Sequence, residues 1–80
     1  MTLAEMVHSA SSNEEFEIEL DGMTLTGKYD RNEVLSGQIP DIESPDEVMV
    51  IRWYSLCESK TYSYTVIQCR KVVDLDEIQD

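Results

Sequence analysis

Carboxylates are the one chemical resource this chain holds in quantity. Thirteen of its seventeen acidic residues fall in three clusters: Glu14, Glu15, Glu17, Glu19 and Asp21; Asp41, Glu43, Asp46 and Glu47; and Asp74, Asp76, Glu77 and Asp80. In the first, Glu15, Glu17 and Glu19 alternate with Phe16, Ile18 and Leu20. On a strand that alternation puts the three carboxylates on one face at steps of about 6.7 Å. A rigid row of that kind can stand in for a nucleic-acid backbone before the Lys/Arg groove of another protein. The competing account is that alternating acids solvate a strand and guard a sheet edge against aggregation. Sequence alone leaves both open.

Other chemistries find no constellation. His8 is the single histidine and lies off the apolar stripe of its helix. No spacing pairs it with Cys57 or Cys69 as a nucleophilic dyad. The three glycines stand apart at 22, 27 and 37, so no phosphate-cradling loop is present. Asp74-Leu75-Asp76 begins like a calcium loop but lacks the glycine at its sixth position and the glutamate at its twelfth. Two cysteines and one histidine are too few for a zinc site within one chain. Cys57 and Cys69 are predicted roughly 25 Å apart along a hairpin, far outside disulfide reach. The expectation is a non-enzymatic protein with no catalytic, cofactor-binding or metal-binding residues and two free thiols.

The elements that position the acids follow from the apolar pattern. Glu47 to Arg70 reads as a long antiparallel hairpin whose arms, Val48–Tyr54 and Tyr62–Cys69, are rich in β-branched and aromatic residues. With Cys57-Glu58-Ser59-Lys60 as the loop, Trp53 faces Tyr64, Ile51 faces Val66, Val50 faces Ile67 and Val48 faces Cys69. Ahead of it, Asp21-Gly22 joins strand 15–20 to a returning strand 23–29 through a two-residue turn. That register sets Leu20 against Met23, Ile18 against Leu25 and Glu15 against Lys28.

Thr2-Leu3-Ala4-Glu5 is a capping box, with Met1 and Met6 spaced as a hydrophobic staple. Leu3, Met6, Val7 and Ala10 then predict a helix over 3–11. Residues 30–46 carry turn chemistry, with a short strand expected near Glu33 to Ser36. Lys71-Val72-Val73 is expected to prolong the last strand.

The resulting expectation is an α+β domain, a short N-terminal helix packed on a mostly antiparallel sheet built from two β-hairpins. It spans residues 1–73, with an acidic tail at 74–80. Side-chain size assigns Met49, Ile51, Trp53, Tyr64 and Val66 to the core under the helix. That leaves Val48, Val50, Tyr54 and Ile67 as an apolar patch on the other face, a candidate protein–protein interface.

Eighty residues make one core, and the net charge of −11 is high for a small domain. Such a surface repels nucleic acid and anionic membrane and attracts basic partners. No apolar run reaches the roughly 18 residues of a membrane span, and the N-terminus has no signal-peptide pattern. The expectation is a cytoplasmic protein.

The opening Met-Thr-Leu helix, the strand ending in Asp-Gly, its return, and the Val/Ile/Trp/Tyr hairpin together resemble small acidic proteins of bacteriophages and prophages. That group includes anti-CRISPR and other anti-defence proteins. The resemblance implies a protein that binds and inhibits a host machine; joined to the carboxylate clusters, it gives the expectation of an inhibitor that occupies a basic, nucleic-acid-binding surface of a bacterial host protein. Its partner-binding residues would be Glu15, Glu17, Glu19, Asp21, Asp41, Glu43, Asp46 and Glu47. The alternative is a homodimeric accessory protein that uses the apolar sheet face.

Crowded acids repel in the compact state, and added salt screens that repulsion. The melting temperature should therefore rise from low to moderate sodium chloride. A thermal denaturation series reads this directly, and an unchanged or falling value would mean the acids are already neutralised within the fold.

Overall fold

Thr2 and Glu5 close the reciprocal cap that the first residues predict. The Thr2 N–H donates to Glu5 Oε1 at 2.8 Å, and the Glu5 N–H donates to Thr2 Oγ1 at 3.1 Å. In the computed structural model, which describes residues 1–72, this cap opens helix α1 (Leu3–His8). Val73 and the tail expected at 74–80 lie outside the described residues. The helix ends three residues before the predicted limit, and Ser9 and Ala10 bond back to Met6 and Val7 in its last turn. Met1 does not act as a staple. Its side chain is largely exposed, while its carbonyl accepts the Val50 N–H at 2.9 Å.

Strand β1 (Glu15–Leu20) buries Phe16, Ile18 and Leu20 and leaves Glu15, Glu17 and Glu19 half-buried on the opposite face. Asp21 and Gly22 both take positive φ, 52° and 85°, as the predicted tight turn requires. Strand β2 (Met23–Thr24) returns in the expected register, Leu20 opposite Met23. The register then departs from expectation. Glu15 faces Asp30 of strand β3 (Tyr29–Asp30), not Lys28. Thr26 and Gly27 leave the ladder, with Gly27 at φ 90° and the Tyr29 hydroxyl donating to the Thr26 carbonyl at 2.8 Å.

The expected strand near Glu33 to Ser36 is instead helix α2 (Arg31–Leu35). A second capping box holds it. Glu33 N–H donates to Asp30 Oδ1 at 2.8 Å, and Asp30 N–H donates to Glu33 Oε1 at 3.0 Å. The Arg31 guanidinium ties this helix to α1 through the Ala10 carbonyl at 3.2 Å. A single 3₁₀ turn, Pro45–Glu47, leads into strand β4 (Val48–Cys57), which pairs with strand β5 (Ser63–Lys71).

The strands form one mixed sheet in the order β2-β1-β5-β4, with β3 also on β1. Three pairings are antiparallel; β1 and β5, at its centre, run parallel. The α+β class therefore holds, with the two hairpins joined through a parallel contact. Both helices and the loop residues Ile39 and Ile42 pack against one face. The core there unites Leu3, Met6, Val7 and Val34 with Phe16, Ile18, Leu20, Val48, Ile67 and Cys69.

That core corrects the assigned faces of the second hairpin. Val48 and Ile67 are buried, and Val50 packs against them, whereas Ile51 and Trp53 are exposed. Val48 and Val50 lie on the side of Cys69, and a bulge at Ile51 then turns Arg52 off that side and brings Trp53 onto it opposite Ile67, where it stays exposed. Val50 faces Cys69, but the next pairs are Arg52 with Gln68 and Trp53 with Ile67. An extra residue on one arm reverses the alternation beyond it. The loop shifts as well, to residues 58–62, with Cys57 opposite Ser63.

Two truncations separate the observed packing from the expected one. Phe16→Ala should cost about 3–5 kcal/mol, the usual range for a fully buried aromatic. Trp53→Ala, at the exposed edge, should cost less than about 1 kcal/mol. Urea denaturation of the two variants reads both values, and a large loss in Trp53→Ala would place Trp53 in the core as first expected.

Candidate functional site

The face of the sheet without helices carries the acidic row. Register places three cross-strand rows on it: Glu15 beside Tyr64 and Leu56, Glu17 beside Val66 and Tyr54, and Glu19 beside Gln68 and Arg52. The Glu15 neighbour extends the parallel register by one position.

The three carboxylates meet different neighbours. Gln68 Nε2 donates to Glu19 Oε2 at 2.8 Å, while Gln68 Oε1 accepts from Arg52 Nε. A neutral amide thus links an acid and a base on strands that are not adjacent. Glu17 flanks Val66, which is buried although no helix covers it. Nearer the hairpin loop, Tyr62 and Tyr64 lie ring to ring at 5.8 Å, and Lys28 Nζ sits 4.3 Å from the Tyr64 ring centre. The residues looped out at Thr26-Gly27 free Lys28 to make this cation–π contact. Burial, then the carboxylates of Glu17 and Glu58, hold the Tyr64 hydroxyl above its ordinary pKa. Burial and a hydrogen bond with Glu15 do the same for Tyr62.

At the base of the hairpin, in the turn that follows β1, Asp21 Oδ1 accepts from the Lys71 N–H at 3.4 Å. Across β5, the Glu47 carbonyl accepts from the Val72 N–H at 2.9 Å. Asp41, Glu43, Asp46 and Glu47 are all exposed on the segment that leads into β4. Three of them, Asp41, Glu43 and Glu47, share an open cavity of about 370 Å³ with Lys71. The two expected acidic groups thus meet at one end of the molecule, on either side of the end of β5. Among the described residues no cluster of three or more His, Cys, Asp and Glu has metal-binding geometry.

The expected apolar interface does not form as a patch. Val48 and Ile67 are in the core, Val50 is half-buried against it, and only Tyr54 reaches the surface. Sequence reasoning also missed the contacts of Gln68, Arg52 and Lys28 on the acidic face. A signal existed for two of them: Gln68 is polar at an inward-reading position in step with Tyr64 and Val66, and Arg52 is the one charge in an apolar arm.

No protein-family model matches this chain, and neither the curated proteins nor the solved structures give a significant match. The site's own geometry therefore carries the functional argument.

The two thiols differ sharply. Cys57 is exposed at the end of β4, while Cys69 is buried with its Sγ 3.3 Å from the Glu19 carbonyl. Burial, then the nearby Asp21 and Glu19 charges, push the Cys69 thiol up from 9.0 to about 11. Between those values the unfolded chain has lost this proton and the native chain still holds it. Stability should consequently fall as pH rises through that window. The raised tyrosines act in the same direction. A thiol-reactive dye at pH 8 should modify one cysteine in the native protein and two in urea, and urea midpoints should drop from pH 9 to 11. Two fast equivalents in the native state would place Cys69 at the surface.

Proposed function

We propose that this protein acts by non-covalent binding: an acidic inhibitor of the phage anti-defence kind that occupies a basic, nucleic-acid-binding surface of a host protein. The supporting observation is the layout of charge. Residues 1–47 hold twelve acids and two bases, whereas 48–72 hold one acid and four bases. The acid-rich part brings Glu15, Glu17 and Glu19 into one row on a sheet face that no helix covers, with Asp21 in the turn beyond it and Asp41 to Glu47 at its end.

Position on a central strand matters to this reading. Strands on both sides hold β1, so its carboxylates keep their spacing without further ordering on binding, which lowers the entropic cost of association. Within the row, Gln68 already engages Glu19. Glu15 also bonds with Tyr62 and Asp21 with the Lys71 N–H, so the least engaged charge lies with Glu17 and the exposed group at the base. Direct nucleic-acid binding is disfavoured by the same charge. The setting that fits is the cytoplasm of a bacterial host. Among the described residues no helix is long and apolar enough to cross a membrane.

Changing Glu15, Glu17 and Glu19 together to Gln keeps side-chain size and removes three charges. The fold should survive, and the same urea curves read its stability. Binding to the basic partner, captured from bacterial lysate and measured by titration calorimetry, should weaken and lose part of its salt dependence. The partner's own nucleic acid should compete with the parent protein. Full binding by the folded triple variant would reject the carboxylate mechanism.

A further inference from the structure

The outer edge of β4 is closed over only part of its length. Thr2 bridges Met49 and the Met1 carbonyl accepts the Val50 N–H, so the chain's first residues pair with the edge as far as the bulge. From Ile51 to Cys57 the backbone's pairing partner is β5 alone among the described residues. This seven-residue stretch is about 23 Å of open strand. It is also apolar on both faces: Ile51 is 63 % exposed, Trp53 56 %, Tyr54 41 % and Leu56 40 %. Folded proteins ordinarily blunt such an edge with lysine, proline or a covering segment. Here Arg52 is the only charge on it.

We propose that a second copy of this chain pairs with that edge, β4 against β4 in antiparallel orientation about a two-fold axis near Trp53 or Tyr54. Charge selects this occupant. Strand β4 carries no acid in its ten residues, so two strongly acidic molecules can meet along it without placing carboxylate against carboxylate. The opposite edge of the sheet offers no such contact, since Asp21, Asp30 and the Glu15–Glu19 row surround it. Antiparallel pairing also brings the loop of one copy, where Lys60 balances Glu58, towards the start of the partner's β4, where Asp46 and Glu47 stand exposed. That arrangement favours antiparallel over parallel pairing, which would set Lys60 against its own copy.

The contact would bury on the order of 1,000 Å² in total, near the lower limit for a specific interface. The dimer should accordingly form at micromolar rather than nanomolar concentration. It does not rest on the role given to the acidic row, and the chain alone suffices to test it.

Sedimentation velocity from 1 µM to 1 mM should show a concentration-dependent dimer. The double variant Trp53→Lys, Leu56→Lys should remain monomeric at the top of that range, with unchanged circular dichroism. A nitroxide on Cys57, the exposed thiol, locates the contact independently of any folding defect. Cys57 lies three or four residues from the axis, so the two labels should sit roughly 20–27 Å apart before label length, at 3.4 Å per residue. Dipolar spectroscopy should find one narrow distance in that region. A monomer at 1 mM would overturn the proposal. So would a dimer that the double variant leaves intact, or one whose labels lie beyond about 40 Å.

Discussion

Because β1 and β5 run parallel at the centre of the sheet, no tight turn can join them, and the chain must travel the length of the domain between the two. Everything from Asp21 to Tyr62 belongs to that journey: a short return along β1, helix α2, the segment through Ile39 and Ile42, and β4. Each part is marginal by itself. Helices of six and five residues are too short to persist alone. They are held because Phe16, Ile18 and Leu20 on one central strand, with Ile67 and Cys69 on the other, form a single apolar floor. The parallel contact makes that floor continuous, and burial against it stabilises the rest.

The bulge at Ile51 solves a second problem for the same floor. The run Val48-Met49-Val50-Ile51-Arg52-Trp53-Tyr54 is apolar at both alternating sets of positions, and a straight strand can bury only one of them. Inserting Ile51 outside the ladder lets Val48 and Val50 reach the core while Arg52 turns to the other face and meets Gln68. The strand beyond it then runs clear of the chain's first residues. One extra residue thereby completes the core, links Arg52 to Glu19 through Gln68, and opens an apolar edge.

These details decide which features a reader of the sequence could recover. Thr2 with Glu5, and Asp21 with Gly22, are local signals whose geometry depends on residues within one turn, and both stand as read. The alternation of Glu15 to Leu20 was equally legible, since its two faces differ completely in polarity. Asp30 with Glu33 was an equivalent cap that went unread, because the surrounding turn residues masked a helix of only five residues. The faces of β4 were not legible. Size favoured Trp53 as core, yet its place depends on a bulge with no glycine to mark it and on a helix cover set by distant contacts. The candidate site divides the same way: the acidic row is a period-two pattern, whereas Lys28 over Tyr64 and the Glu19–Gln68–Arg52 link arise from register.

The two proposed surfaces constrain each other through the geometry of the sheet. A two-fold axis perpendicular to the sheet keeps both helix-free faces on the same side, so an edge-paired dimer would present two acidic rows to one hemisphere. Between β1 and its copy lie β5, β4 and their mates, five strand spacings of about 4.8 Å, or roughly 24 Å. Sheets also twist by about 20–25° per strand, which would turn one row roughly 100–125° from the other. Two rows so crossed do not lie along a single straight groove. Dimerisation would therefore not lengthen the acidic ligand offered to one basic channel. It would offer two separate ligands, one per protomer, and any gain in apparent affinity would come from a target that itself carries two sites within reach.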